Sequence, residues 1–422
     1  MVQRRSNLGF AAPAQPAKRD AERGQIVPLT GIALVALLAA IAVAADMGFF
    51  FDYRRRMQTG ADNAAMAGAE QLRRGATDDQ IQTAGINGAA SDGFTNGASS
   101  TRVTVNHPPA SGYYAGNSSF VEAIISQPRP TIFMGILGFQ SATVSTRAVA
   151  GAQNSPNCIY ALNPTASAAF GTSGGASVNA GCGIVVDSSS GSALSSTGNA
   201  SVTATSIAVN GNATGCCFSP TPQTGVPPEP DPLAARAAPT FSGGCDYTKF
   251  KVPGGTKVLT PGVYCGGIDI SGQSNVTFMP GLYVLNGGGL SQSGGGTMSG
   301  TGVTFYNTGG GDFTYKPIGI SGGTSGTLSA PTSGPMEGML FFQDRSIRSN
   351  QTNTVSGGST LALEGALYFP TTPLNFSGGS TGTANYTVII AQTLTFSGTS
   401  IVKANFDNLS SGDLIQKVAL AE

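Results

Sequence analysis

A long apolar run near the start of the chain has the length of a membrane span. Residues 26–45 read IVPLTGIALVALLAAIAVAA and carry no charge. At about 1.5 Å of rise per residue, a helix of this length reaches roughly 30 Å, the thickness of a bilayer's hydrocarbon core. A cleaved secretory signal peptide is the alternative, but its apolar region is normally about 7–15 residues long. The pattern therefore predicts an uncleaved, single-pass membrane anchor.

The sequence keeps a helix-compatible composition after this run, as far as residue 75. We predict one long helix from about residue 27 to residue 74, or two helices with a break near Gly60. Small residues line one face of its outer half: Ala61, Ala64, Ala65, Gly68 and Ala69. A small face lets another helix approach closely, including inside a membrane. It is equally suited to packing on the protein's own next domain, and both alternatives stay open.

Alternating apolar and polar residues predict a small α/β module after the helix. Residues 101–106 (TRVTVN) and 141–152 (SATVSTRAVAGA) alternate as strands do, and residues 119–127 (SFVEAIISQ) are rich in strand-forming residues. A compact apolar block at 131–139 (TIFMGILGF) is expected to form a short helix. The module is too short to enclose a large pocket.

From about residue 158 onward the pattern becomes repetitive. Residues 169–186 resemble residues 193–210, and later segments share the same unit of short strand, Ser-Gly or Thr-Gly turn, and short strand. The turns lie at Ser173-Gly174, Thr197-Gly198, Ser271-Gly272, Ser293-Gly294, Ser377-Gly378 and Ser397-Gly398. Stacked repeats of this kind share one continuous core. The pattern predicts a right-handed parallel β-helix, or solenoid; the alternative is an antiparallel β-sandwich, whose turns recur about every 8–12 residues.

The chain accordingly divides into five segments in a mostly β protein. They are a disordered tail (1–23), a transmembrane and extended helix (24–75), the small α/β module (76–152), the solenoid (153–412) and a C-terminal cap (413–422). Proline is dense at 218–239, which predicts an extended excursion that covers a solenoid edge or bridges two solenoid blocks. The final residues are expected to form a short helix that caps the last coil, since solenoids need polar caps.

Charge and composition indicate on which side of the membrane the long C-terminal part lies. Five basic residues precede the span and three follow it: Arg4, Arg5, Lys18, Arg19 and Arg23, then Arg54, Arg55 and Arg56. Because basic residues concentrate on the cytoplasmic side, we expect a cytoplasmic N-terminus and a periplasmic or extracellular C-terminal part. Gly accounts for 60 residues and charged residues for only 10% of the chain, as in secreted repetitive β proteins. The formal net charge is +0, which gives no electrostatic case for binding nucleic acid.

The cysteines favour disulfides in an exported domain. The six are Cys158, Cys182, Cys216, Cys217, Cys245 and Cys265. They form no C-x-x-C pair, and His107 is the only histidine, so a zinc site has few ligands available. The closest pairings are Cys158 with Cys182 and Cys245 with Cys265. The adjacent Cys216 and Cys217 are open to pairing outward, with each other or with the rest, and six reduced thiols are the alternative.

Recognisable catalytic chemistry is absent from the sequence. It contains no P-loop, zinc-protease motif or EF-hand loop, and we expect no enzyme activity, metal or cofactor. Acidic residues after residue 150 are scattered: Asp187, Asp246, Asp269, Asp312, Asp344 and Glu364. A carbohydrate-cleaving solenoid needs matched carboxylates. Asp269, Asp312 and Asp344 meet only if the coils align them.

An ordered set of residues around the span resembles a known family. The set is Arg23-Gly24-Gln25, the apolar run, Asp46, Arg54–Arg56, Met57-Gln58 and the segment Ala61-Asp62-Asn63-Ala64-Ala65. Together with the strand at 141–152, it is similar to the TadE/TadG-like family of Flp (tight-adherence, Tad) pilus-assembly proteins over roughly the first 150 residues. The rest looks more weakly like the Gly/Ser-rich passenger regions of some such proteins. Pilin-like relatives carry Glu five residues after the processing Gly, and Leu29 stands there, which implies a permanent anchor.

The resemblance implies a protein of the bacterial inner membrane that helps to assemble or anchor an adhesive pilus, with other pilus-assembly subunits as partners. Asp46 and Arg54, Arg55 and Arg56 are then candidate contacts with the membrane or a partner. Asp46 is equally able to remain hydrated among lipid headgroups or to pair with an arginine of its own helix. We expect a membrane-anchored structural protein whose exported solenoid contacts surfaces or partners. The alternative is a secreted β-helix protein that binds or cleaves polysaccharide.

Overall fold

The computed structural model describes residues 26–242, 244–377, 387–397, 399–402 and 414–422. The tail expected at 1–23 lies outside these residues. The chain forms two compact units, one comprising residues 1–152 with 418–422 and the other residues 153–417. Each unit has its own hydrophobic core.

One uninterrupted helix, α1 (Ile26–Arg73), begins the first unit, so the prediction of a single long helix is confirmed. A second helix, α2 (Asp78–Ser91), begins after Thr77, whose backbone N–H donates to the Gln80 side chain. Strands β1 (Arg102–Asn106), β2 (Phe120–Pro130) and β3 (Ser141–Asn154) then pair antiparallel. Short 3₁₀ turns occupy Ala98–Ser100 and Met134–Leu137, the second within the apolar block expected to be helical.

The small-residue face of α1 packs inside the first unit, which decides between the two alternatives left open by the sequence. Ala61, Ala64, Ala65 and Ala69 are fully buried in its core. A Cβ added at Gly88 of α2 would lie 2.9 Å from the Asn63 carbonyl oxygen of α1. The two helices approach closely because their contact surfaces are nearly devoid of side-chain bulk.

The second unit is a stack of short strands in two sequence blocks. The first block contains β4 (Asn157–Ala161), β5 (Phe170–Thr172), β6 (Ser177–Ala180), β7 (Gly183–Val186), β8 (Leu194–Ser196), β9 (Ser201–Thr203), β10 (Ile207–Val209), β11 (Ala213–Thr214), β12 (Phe218–Ser219) and β13 (Gln223–Thr224). The second contains β14 (Tyr247–Val252), β15 (Gly255–Leu259), β16 (Gly262–Ile270), β17 (Ser274–Phe278), β18 (Gly281–Asn286), β19 (Leu290–Gln292), β20 (Gly296–Thr301), β21 (Val303–Thr308), β22 (Gly319–Ser329), β23 (Met339–Gln343), β24 (Asn353–Phe369), β25 (Leu374–Ser377), β26 (Thr387–Ala391), β27 (Leu394–Ser397) and β28 (Thr399–Val402).

These strands pair in parallel, as a β-solenoid requires, and the prediction of a solenoid-like domain is confirmed over a β-sandwich. Aromatic rings of successive coils stack inside the core as a ladder: Tyr264, Tyr283, Phe305, Phe341 and Phe369. Neighbouring ring centroids in this ladder lie between 5.3 and 6.1 Å apart. Register pairing places Tyr283, Phe305 and Phe341 directly above one another. Tyr264 and Phe369 join the two ends of the ladder from positions two residues further along their strands than the paired register.

The coils do not stack in the order of the chain. Strand β4 pairs with β7 on one side and with β26 on the other, so the last described coil of the second block lies on the first coil of the first block. Successive pairings run β13-β10-β7-β4-β26-β24-β23-β21-β18-β16-β14. Consecutive strands β13 and β14 therefore stand about ten strand spacings, or roughly 48 Å, apart.

The segment between β13 and β14, residues 225–246, covers this distance; we call it the strap. An extended segment of this length reaches roughly 70 Å, enough for the crossing. The Glu229 N–H donates to the Asp187 carboxylate at 2.9 Å, and further along the Arg345 guanidinium donates to the Arg236 carbonyl oxygen at 2.9 Å. Phe241 then packs edge-on against Tyr306. The strap is thus fastened to successive coils along the stack.

The strap begins later than proline content alone suggested. Phe218–Ser219 (β12) and Gln223–Thr224 (β13), inside the predicted excursion at 218–239, still pair with coils of the first block. Backbone hydrogen bonding outweighs composition there, since each short strand has a parallel partner beside it.

The last described strand, β29 (Gln416–Leu420), lies in the antiparallel sheet of the first unit, in the order β1-β2-β3-β29. The prediction that the final residues form a helix is wrong. The Val149 N–H of β3 donates to the Glu422 carbonyl oxygen, and the Ala421 N–H donates to the Val149 carbonyl oxygen, both at 2.8 Å. An open sheet edge supplies ladder hydrogen bonds, whereas so short an isolated helix is unstable.

Candidate functional site

Asp46, the first acidic residue after the apolar run, is buried at 3% exposure. Its carboxylate accepts the backbone N–H groups of Ile132, Phe133 and Met134 at 3.1, 2.9 and 2.7 Å. Neither an arginine of its own helix nor bulk water is its main partner, and it is not presented on the surface for a second protein. The expected partner contact is therefore corrected: Asp46 holds the β2–β3 connection against α1.

The three arginines predicted as contacts do lie on the surface of α1. Arg54, Arg55 and Arg56 are exposed, and Arg56 forms an ion pair with Asp52 one turn earlier at 3.1 Å. Arg129 of β2 lies 4.0 Å above the Tyr53 ring and adds a further positive charge at this level. A belt of positive charge thus follows the apolar run, as expected where a span meets anionic lipid headgroups.

An ion pair between a fully buried carboxylate and a partly exposed arginine, which sequence reasoning missed, stabilises the first unit. Glu122 on β2 is fully buried and accepts hydrogen bonds from Arg147, Asn106, Ser111 and the Ala110 N–H. Burial opposes ionisation, but these four donors outweigh it and lower the pKa of Glu122 to about 2. The signal was available: a single Glu stands among apolar residues in a strand-like segment, and a single Arg stands in the next such segment.

The cysteines form two disulfides, Cys158–Cys182 and Cys245–Cys265, the two pairings predicted from the sequence as closest, apart from the adjacent Cys216 and Cys217. The first joins neighbouring coils of the first block, and the second fastens the end of the strap to β16. Cys216 and Cys217 are free and exposed. The hydrogen bond with the neighbouring Cys216 sulfur raises the pKa of Cys217.

A groove of about 700 Å³ on the solenoid is a candidate binding site, and its volume lies within the usual range of ligand pockets. We call it the solenoid groove. Its polar lining includes Lys249, Lys251, Asp269, Ser291, Asp312 and Lys316. Along its floor, outward-facing residues of neighbouring coils share one register, from Lys251 through Asp269 and Ser291 to Gly319. Gly319 has open space where a side chain would stand, which widens the floor.

The segment between β21 and β22 forms one wall of the solenoid groove. Asp312, Phe313 and Lys316 belong to this segment and line the groove. Phe313 lies close against Gly287 of the neighbouring coil. A Cβ added at Gly287 would lie only 2.6 Å from the Phe313 Cβ, so the contact requires glycine there. The glycine corners therefore let the insertion lie flat and extend the groove sideways.

The sequence left open whether the coils align Asp269, Asp312 and Asp344, and the structure places two of these three carboxylates in the solenoid groove. Asp269 and Asp312 line it, and both are exposed. Asp344 lies elsewhere, where Thr308 and Ser346 donate hydrogen bonds to it at 2.7 and 2.8 Å. Burial acts to raise the pKa of Asp344, but these hydrogen bonds outweigh burial and lower the pKa below its ordinary value.

The remaining polar candidates have structural partners. The His107 ring contacts the Asp78 carboxylate at 2.7 Å and the Ser118 carbonyl oxygen at 2.8 Å. Burial raises the pKa of Asp187, on the coil crossed by the strap, to about 6, and the charges of Glu229 and Asp231 act in the same direction. Among the residues that the structure describes, no group of three or more His, Cys, Asp or Glu side chains is arranged to hold a metal ion.

Comparison with known families bears on the α1 segment. Residues 24–71 match the family model described as putative Flp pilus-assembly TadE/G-like. The resemblance seen in the sequence is thereby confirmed for this TadE/G-like segment, which coincides with nearly the whole of α1. Neither a curated protein nor a solved structure matches the chain.

The TadE/G-like segment contains the part of α1 that fits a single-pass membrane anchor. Its apolar window has a mean hydropathy of 2.3 and is only 6% buried within the protein. A core helix of a soluble domain would bury this surface, so the exposure agrees with an apolar environment outside the protein. A pilus-assembly role is supported by the matched segment.

Proposed function

We propose that the chain is a non-enzymatic, membrane-anchored component of a Flp/Tad-type pilus-assembly system, with the solenoid carried outside the cytosol of a bacterial cell. The match of residues 24–71 is the observation that supports this most strongly. The larger basic cluster before the span favours a cytoplasmic N-terminus. The two disulfides, both in the solenoid, favour an oxidising compartment.

Topology and assembly are testable in one strain. The test uses a bacterial strain from which the gene for this chain has been deleted. We expect a variant with Cys216→Ser, Cys217→Ser and Tyr113→Cys to restore the pilus filaments seen by electron microscopy. Tyr113 is 87% exposed and follows the anchor. In spheroplasts, a membrane-impermeant maleimide is then expected to label the new thiol without lysis.

The matched control is Ser6→Cys in the same background, which places the thiol before the span. We expect labelling of this variant only after the membrane is permeabilised. The reverse pattern would place the solenoid in the cytosol. Normal filaments in the deletion strain would contradict the pilus-assembly role independently of the topology.

The solenoid groove is the surface that we propose for contact with a polysaccharide or a partner subunit. Its floor is a row of exposed Lys, Asp and Ser side chains at strand spacing, and such a row suits an extended polar chain. We do not expect the groove to cleave a polysaccharide. Glycoside cleavage needs a carboxyl group that stays protonated because burial raises its pKa, and both groove carboxylates are exposed. Three lysines against two aspartates favour an acidic polymer.

Reversing two lysine charges is expected to weaken such binding. Lys251→Glu with Lys316→Glu should lower the affinity of the purified chain for polygalacturonate by about tenfold, roughly 1.4 kcal/mol, as measured by calorimetry. Lys257→Glu, an exposed lysine outside the groove, should leave the affinity unchanged. Equal losses in both variants, or equal binding of neutral dextran by the native chain, would exclude charge recognition in the groove.

A further inference from the structure

The connection between β2 and β3, residues 131–140, presents an unusual apolar surface; we call it the tip loop. Its sequence, TIFMGILGFQ, has no charge. Ile136 is 84% exposed and Phe139 61%, and Ile132 and Phe133 are also exposed. A water-facing loop normally carries polar residues, so a cluster of this kind indicates a contact with something apolar.

The attachment of the tip loop indicates what that contact is. Three successive N–H groups of the loop are bound by Asp46, the residue directly after the uncharged apolar run. Asp46 lies one residue, or about 1.5 Å of helix rise, beyond the apolar run, so its hydrogen bonds hold the tip loop beside the end of the span. Met47 and Phe49 on the same stretch of α1 are 52% and 61% exposed, so the apolar surface continues from the span to the loop.

The backbone of the tip loop is suited to a medium that offers few hydrogen-bond partners. Besides the groups bound by Asp46, the Thr131 N–H donates to Gln140 and the Ile136 N–H to Phe133. The N–H groups of Gly138 and Phe139 donate to the carbonyl oxygens of Gly135 and Met134. Irregular backbone is expensive in lipid when its polar groups are unpaired, and here most of its N–H groups are paired.

Charged side chains begin farther along α1 and mark the polar side of this surface. Asp52 stands six positions after Asp46, roughly 9 Å along the helix, and the arginines at 54–56 follow. Arg129, the last charged residue before the tip loop, turns back over the Tyr53 ring. The apolar and charged groups are thus separated by depth, as they are at a membrane interface.

We propose that the tip loop inserts into the bilayer leaflet from which α1 emerges near Asp46, as a second membrane contact of this chain. The proposal rests on the membrane anchor of the proposed function. The span of α1 and the tip loop, joined through Asp46, then contact the bilayer at two places and fix the orientation of the first unit. A single helix with a hydrated loop beside it would leave that orientation free. The occupant of this surface is lipid, in continuity with the span.

Tryptophan fluorescence can test this directly, because the chain contains no Trp. Ile136→Trp is introduced into the full chain, which is placed in phosphatidylcholine–phosphatidylglycerol nanodiscs with spin-labelled lipids. We expect blue-shifted emission and strong quenching by shallow labels. The matched control is Tyr113→Trp, which is exposed in the connection at the opposite end of β2 and should show red-shifted, unquenched emission.

A third reporter separates this proposal from the anchor. Val35→Trp, within the apolar run, should be quenched by deep labels if α1 spans the bilayer. If Val35→Trp is quenched but Ile136→Trp shows the red-shifted, unquenched emission of Tyr113→Trp, the anchor stands and the insertion of the tip loop is overturned. Blue-shifted but unquenched emission from Ile136→Trp would also overturn it, since another protein surface would then cover the loop. An unquenched Val35→Trp would remove the anchor and this proposal together.

Discussion

Replacing Arg147 with alanine should destabilise the first unit by about 3–5 kcal/mol, because the fully buried Glu122 carboxylate would lose its charged partner. Whole domains are typically stable by only about 5–15 kcal/mol, so this loss is large. We expect faster amide hydrogen exchange across β2 and β3 in the detergent-solubilised full chain. Exchange in the solenoid should stay unchanged and serves as an internal reference.

Two further variants sharpen this prediction. Arg102→Ala removes an exposed arginine from the same sheet and should change stability by less than about 0.5 kcal/mol. Glu122→Gln combined with Arg147→Ala should recover part of the loss, since no charge then remains buried. If Arg147→Ala alone has no more effect than Arg102→Ala, the ion pair does not stabilise the unit.

The pH dependence of the native first unit should have a defined sign. Because the pKa of Glu122 is lowered to about 2 in the folded state from an ordinary 4.5, its contribution is fully present above pH 4.5. It should be lost as the pH falls from 4.5 towards 2. The Arg147→Ala variant should show a smaller acid-induced loss over the same interval.

Removing the Cys245–Cys265 disulfide should destabilise the solenoid by about 3 kcal/mol, the value that the chain-entropy model gives for a loop of this size. This bond joins the end of the strap to β16, next to β14 at the end of the stack. Cys245→Ser with Cys265→Ser should therefore lower the thermal midpoint and speed amide exchange first in β14 and the strap.

Cys216→Ser with Cys217→Ser is the matched control, since both thiols are exposed and unpaired in the structure. It changes the same number of residues in the same unit and should leave the thermal midpoint within about 1 °C. If β14 and the strap exchange no faster in the disulfide variant than in this control, the strap is held by its polar contacts alone.

Local sequence carried much of the architecture. The uncharged run predicts the exposed half of α1, and Ala61, Ala64 and Ala65 predict a close helix contact, because both follow from side-chain size and hydropathy along one helix. Cys158 and Cys182 lie one repeat apart, so the solenoid period itself brings them together. Asp46 stands out in the sequence as the acidic residue directly after the apolar run, but its partners are residues 132–134, and no local pattern indicates a contact over that separation.

Local sequence patterns are enough to predict that a long apolar helix precedes a repetitive β domain of parallel coils, since hydrophobic periodicity and turn residues act over short stretches of chain. Three features emerge only in the folded chain: β26 stacks on β4, β29 joins the sheet of the first unit, and Asp269 and Asp312 line one groove. Short parallel strands expose nearly equivalent edges, so local sequence does not choose among them. Which edge meets which depends on the path of the strap and on long-range packing, neither of which has a local signature.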